Sequence, residues 1–109
     1  MERRTGKRVH LTQEIFLSSR SDKRSAVLTN CSEGGMYIKT RISYPFDYAY
    51  EAYIPVKNSL LKVPVKVVRI DKSGPAYEGM GVEILDLPQK YLEFVIKHSL
   101  LSESQNTHS

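Results

Sequence analysis

Arg3, Arg4, Lys7 and Arg8 place four cations in the first eight residues, ahead of any apolar periodicity. An arginine's planar fork donates two parallel hydrogen bonds to a phosphate or to the O6 and N7 edge of guanine, and its flat face stacks on a purine. Further along, Asn30-Cys31-Ser32-Glu33-Gly34-Gly35 strings together residue types that tolerate tight or left-handed backbone. One reading is a hairpin turn, with Asn30 and Ser32 bonding local backbone and the glycines taking positive φ. The other uses the same geometry for recognition: bare backbone at Gly34 and Gly35 lets a flat base or a phosphate come close, while Asn30 and Ser32 present short polar groups to it. Arg20 and Arg24 repeat the arginine spacing but read as a solvated turn.

Other chemistries lack their residues. His10, His98 and His108 fall in a strand, a helix and a tail, which suggests neither a metal site nor a catalytic base. Ser32 is not framed as Gly-x-Ser-x-Gly, and Cys31 has no histidine near it in sequence, so no nucleophile is expected. As the single cysteine, Cys31 can form neither an internal disulfide nor a cysteine-rich zinc site. No enzyme activity is therefore expected, and no cofactor. A formal charge of +4 and a pI near 9.2 are consistent with an anionic partner.

These residues need a scaffold, and 109 residues make one domain. Apolar alternation predicts a strand over Val9 to Phe16 and another over Ser25 to Thr29, with the Asn30–Gly35 segment as the break before a third over Met36 to Thr40. Tyr48, Tyr50, Ala52 and Ile54 share one side of a fourth strand ending at Pro55. Leu60 to Asp71 forms the fifth, where Pro64 suggests an edge or a bulge, and Ala76 to Leu85 the sixth. Six short strands separated by turn signals predict a mainly all-β fold, a small barrel or sandwich. After Asp86 the period becomes helical: Leu87, Tyr91, Leu92, Val95, Ile96 and Ser99 predict one amphipathic helix over residues 87–101, capped by Asp86, with Pro88 in its first turn. The expected layout is a basic arm over 1–8, a barrel over 9–85, the helix, and a disordered tail over 102–109. No run approaches the roughly 20 apolar residues of a bilayer span, and Met-Glu-Arg-Arg lacks a signal peptide's apolar core, so no membrane insertion is expected and the expected compartment is the cytoplasm.

Together the arm and the turn resemble the PilZ domain family, whose ligand site joins an Arg-x-x-x-Arg arm to a downstream (Asp/Asn)-x-Ser-x-x-Gly turn. Here the arm is Arg4 to Arg8, just before the first strand, and the turn is Asn30, Ser32 and Gly35, just after the second. Arg20 and Arg24 lie between those strands and do not match. Val67-Val-Arg-Ile and Gly79-Met-Gly-Val-Glu look like the family's closing strands, so the resemblance spans about Arg3 to Leu101. It implies a six-stranded antiparallel β-barrel with one C-terminal α-helix that binds cyclic di-GMP. Arg4 and Arg8, helped by Arg3, would grip phosphate and guanine. Asn30 and Ser32 would bond a guanine edge, Gly34 and Gly35 would leave clearance for the base, and Arg69 would stack on a guanine.

The expected role is a receptor that converts cyclic di-GMP binding into altered docking to an unidentified protein effector. A PilZ-fold adaptor that binds no nucleotide is the alternative. A barrel binding single-stranded nucleic acid comes third, on the basic charge and the seven tyrosines; nucleic acid is not the expected partner, because Tyr48, Tyr50 and Tyr53 alternate along one strand and cannot form one platform.

Overall fold

The computed structural model describes residues 8–19, 22–41, 49–72 and 78–106, with only the backbone for Asp22 and residues 102–106. Arg3, Arg4, Lys7, Arg20, Tyr48 and His108 lie outside the described residues, as does most of the expected basic arm.

Among the described residues the chain forms six strands and one helix: β1 (Val9–Ser19), β2 (Asp22–Cys31), β3 (Gly35–Thr40), β4 (Ala49–Val56), β5 (Ser59–Lys72), β6 (Glu78–Ile84) and α1 (Gln89–Asn106). The strands close into an antiparallel barrel in the order β1-β2-β3-β6-β5-β4. Closure is completed where β1 meets β4, through the three pairs Phe16–Tyr53, Leu17–Ala52 and Ser18–Glu51. The expected barrel is therefore present.

Period-two alternation aims one side of each strand inward. Ile15 and Leu17, Leu28, Ile38, Ala52 and Ile54, Val63, Val65 and Val67, and Met80 are all essentially sealed from solvent. Burying each of the larger of these side chains contributes about 1.5 to 3 kcal/mol. Tyr50 also faces this core, whereas Tyr53 lies on the other face and donates its hydroxyl to Glu51 Oε1 at 2.9 Å. The tyrosines of β4 thus form no common stacking surface.

Several boundaries differ from the sequence reading. Arg24 lies inside β2, opposite Leu17, rather than in a turn. The β4–β5 connection is Lys57-Asn58, closed by the Val56–Ser59 pair, with Asn58 at φ 67°; asparagine is one of the few side chains that accept this left-handed conformation. Pro64 marks no edge, since the barrel has none. Its carbonyl accepts from Leu85 N at 3.0 Å, just past the first β5–β6 pair, Val65–Ile84. In an antiparallel strand a residue's N and carbonyl face the same neighbour, so the missing N–H falls beyond the end of β6 and removes no ladder bond.

The helix begins at Gln89, not Leu87. The Pro88 carbonyl accepts from Tyr91 N at 3.0 Å and Leu92 N at 3.1 Å, so Pro88 is the last residue before the helix. Proline disfavours helical backbone in the residue ahead of it, which keeps Leu87 out. At its other end the helix runs through Ser102–Gln105 to Asn106, where a disordered tail was expected. Extending an existing helix costs little, and glutamate and glutamine are good helix formers. The buried face is Tyr91, Phe94 and Val95, packed over β1 and β5, while Ile96 is half exposed. Adjacent apolar rows offered two faces, and the barrel takes the one whose Tyr91 hydroxyl reaches buried carbonyls. No helix among the described residues is long and apolar enough to cross a membrane.

Candidate ligand site

Two β-bulges decide which way the key side chains point. In β2, Leu28 pairs with Ile38 but Asn30 pairs with Tyr37, leaving Thr29 as the extra residue. Unbroken alternation after Ala26 and Leu28 would have sent Asn30 into the core. The bulge reverses the parity, so Cys31 is buried and Asn30 faces outward. Thr29 is held by its hydroxyl, which donates to the Tyr37 carbonyl at 3.2 Å. In β5 the register slips between Val67 and Arg69, which makes Val68 the extra residue. After the inward series Leu61, Val63, Val65 and Val67, this turns Arg69 outward and lets Ile70 pack against the core.

On the outward face Arg8 joins the two polar groups of the turn. Its Nε donates to Asn30 Oδ1 at 2.7 Å and its Nη1 to Ser32 Oγ at 3.0 Å. One guanidinium thus fixes both side chains with charge-assisted bonds. The turn itself is short, because Asn30 and Cys31 belong to β2 and Gly35 to β3. Ser32 N donates to the Gly35 carbonyl at 2.9 Å, and Ile84 N donates to the Gly34 carbonyl at 2.9 Å.

Neither glycine of the turn has the positive φ expected of it. A Cβ on Gly35 would lie 2.6 Å from the Val82 carbonyl oxygen, so glycine there permits close approach of β3 to β6. A Cβ on Gly34 would meet nothing within 4 Å. Packing within the barrel therefore accounts for Gly35 but not for Gly34, whose bare backbone borders the open cavity.

That cavity, of about 650 Å³, is lined by Arg8, Ser32, Gly34, Gly35, Tyr37 and Arg69 among others, and falls within the usual size range of small-molecule sites. Its far wall is a small network. Arg69 Nε donates to Asp71 Oδ2 at 3.1 Å, the Tyr37 hydroxyl donates to the same oxygen at 2.8 Å, and the Arg69 guanidinium carbon lies 5.5 Å from the Tyr37 ring centroid. Burial, reinforced by Asp71, raises the Tyr37 phenol pKa, so the hydroxyl stays protonated. Gly79 lies under this ring, and a Cβ there would collide with it.

Beneath the turn sits Tyr91, fully buried, whose one hydroxyl proton is shared between the Ser32 carbonyl, at 2.5 Å, and the Gly35 carbonyl, at 3.2 Å. Burial drives its pKa strongly upward. Burial likewise pushes the neighbouring Cys31 thiol up to about 11, with Arg8 pulling weakly the other way, so at neutral pH the thiol is protonated. The residues described hold no cluster of ligands suited to a metal ion.

The structure thus brings Arg8, Ser32, Gly34, Gly35 and Arg69 to one opening, with Asn30 joined to it through Arg8. Sequence reasoning missed Tyr37 and Tyr91. Tyr37 was discoverable, since it follows Gly35 by two residues on the same strand and so shares its face.

A sequence model of the PilZ domain matches residues 2–99. The chain belongs to the PilZ domain family. Among solved structures, this PilZ domain is similar to the Bacillus subtilis inhibitor of motility MotI/DgrA, with a TM-score of 0.75 and 13% identity over 96% of this chain and 53% of that one. It is also similar to the PilZ domain of Escherichia coli YcgR, solved with c-di-GMP, with a TM-score of 0.70 and 10% identity over 97% of this chain and 95% of that one. A third is Borreliella burgdorferi PlzA, solved in complex with c-di-GMP, with a TM-score of 0.69 and 10% identity over 88% of this chain and 40% of that one. The chain thus spans about half the length of MotI/DgrA and less of PlzA. No curated protein matches it. At these identities the likeness is one of fold.

Proposed function

We propose that this PilZ domain is a receptor for cyclic di-GMP and that the cavity between Arg8 and Arg69 receives the nucleotide. The observation that carries the reading is the Arg8 bridge, in which one guanidinium at the edge of a cavity bordered by Ser32 and by bare backbone at Gly34 holds both Ser32 and Asn30. A dianionic, purine-bearing ligand suits these groups. Arg8, with Arg3 and Arg4 from the arm, grips phosphate and the guanine O6 and N7 edge, Asn30 and Ser32 bond the base, and Gly34 and Gly35 let it approach. Arg69, steadied by Asp71 and Tyr37, offers a flat cationic face for stacking. That E. coli YcgR and B. burgdorferi PlzA share the fold and were solved with this nucleotide supports the choice of ligand.

The signal then passes to a protein effector. Tyr91 ties the ligand-contacting turn directly to α1, so a ligand that shifts Ser32 or Gly35 acts on the helix through the hydroxyl that their carbonyls share. Calorimetric titration tests the reading. Cyclic di-GMP should bind well and cyclic di-AMP at least tenfold more weakly, because unpaired buried groups cost about 1 to 3 kcal/mol each. Equal affinity for the two would exclude guanine readout, and an oligonucleotide binding more tightly than either would favour the nucleic-acid alternative.

A further inference from the structure

A second concavity lies away from the nucleotide cavity, between α1 and the β4–β5 hairpin, with a volume of about 840 Å³. Its floor is apolar, with Leu61 and Phe94 buried and Pro55 and Val56 partly so. Leu60 is half exposed there, although it sits at the tip of a hairpin where polar residues are the rule. The rim is cationic on both walls: Lys57 and Lys62 stand on the hairpin, Lys90 and Lys97 on the helix. Glu93 is the one carboxylate among the lining residues, and Lys62 also pairs with Glu51 at 3.3 Å.

We propose that this groove is a docking surface for an acidic protein segment, one that seats an apolar side chain on the floor while Asp or Glu on either side meet the lysines. Charge complementarity selects this occupant. Lysine ammonium groups on flexible stems attract and steer an anionic chain without imposing a fixed geometry, and an apolar floor inside a polar rim is the usual anatomy of a protein interface. Nucleic acid would need exposed rings for stacking, yet Phe94 is almost fully buried and packs against His98 at a centroid distance of 4.5 Å. A second copy of the chain docked groove to groove would bring lysine against lysine.

The proposal stands apart from the nucleotide reading, and the experiment keeps them separate. A fluorescein-labelled peptide with three glutamates on each side of a Leu-Leu pair is titrated into the full chain, against a peptide with lysines in place of the glutamates and one with glycines in place of the leucines. The acidic leucine peptide should bind at least tenfold more tightly than either control and should perturb the amides of Leu60, Phe94 and Lys97. The doubly reversed variant Lys57→Glu with Lys97→Glu, both side chains exposed, should lose about tenfold in peptide affinity and keep its affinity for cyclic di-GMP. Arg8→Ala should do the opposite. Equal binding of the three peptides, perturbations centred on Ser32 to Gly35, or tighter binding to an oligonucleotide or to anionic phospholipid vesicles would overturn the proposal.

Discussion

Removing the Tyr91 hydroxyl tests whether the turn around Ser32 is held from below. In Tyr91→Phe the ring still fills its site and still stacks on Phe94, at a centroid distance of 6.4 Å, so no cavity of consequence opens. What is lost is the donor to the Ser32 and Gly35 carbonyls. The Gly35 carbonyl keeps the Ser32 N–H, while the Ser32 carbonyl loses its buried partner. Leaving one such acceptor unpaired costs about 1 to 3 kcal/mol. For a domain of this size each kcal/mol lowers Tm by roughly 4 to 8 °C, so the variant should melt about 5 to 20 °C below the parent. Circular dichroism against temperature measures this, and calorimetry with cyclic di-GMP on the same samples should show weaker binding, because the Ser32 and Gly35 carbonyls lose the anchor that Tyr91 gives them. An unchanged Tm together with unchanged affinity would refute the idea that Tyr91 organises the turn.

Other substitutions divide the site into parts. Arg8→Ala should weaken cyclic di-GMP binding at least about tenfold by calorimetry, since charge-assisted bonds contribute roughly 1.5 to 3 kcal/mol, and Arg8→Lys should recover only a fraction, because one ammonium cannot reproduce the Nε and Nη1 pair. Gly35→Ala should destabilise the fold by about 1 to 3 kcal/mol through the clash with the Val82 carbonyl. Gly34→Ala should leave stability within roughly 0.5 kcal/mol of the parent yet reduce ligand affinity, a separation that denaturant unfolding and calorimetry would display together. The raised thiol of Cys31 predicts an alkaline limit. Between its ordinary 9.0 and about 11 the folded chain keeps a proton that the unfolded chain has lost, so stability is fully present below about pH 9 and falls as pH rises through 11. Tyr91 acts in the same direction. Unfolding followed against pH should slope less steeply over that window in Cys31→Val.

The strands, their order along the chain and the polar turn were legible because alternation and turn residues are local signals. Leu61, Val63, Val65 and Val67 announce β5 unaided. Bulges are not local signals: nothing at Thr29 or Val68 marks either as an extra residue, and only the partner strand's register reveals it. A reader of the sequence could therefore choose Asn30 and Arg69 for their chemistry without knowing that both escape the core through a slip of one position. The glycines misled for a related reason. Gly35 is small because the Val82 carbonyl of β6 passes close by, 47 residues further along the chain, and not because of its own φ. The helix face was ambiguous for want of tertiary information, since the row with Ile96 looks as apolar as the row with Phe94 until Tyr91 finds its carbonyls.

Among the described residues the seam between β1 and β4 is joined by three residue pairs. Lys23 stands over that seam, its ammonium 5.2 Å from the Phe16 ring of β1 and 5.8 Å from the Tyr53 ring of β4. While the barrel is shut, one cation attracts both rings and helps to hold the strands together. A single residue of β2 thus spans the join between its neighbour β1 and the strand beyond it, so the closure of the barrel rests on side-chain contact as well as on the ladder.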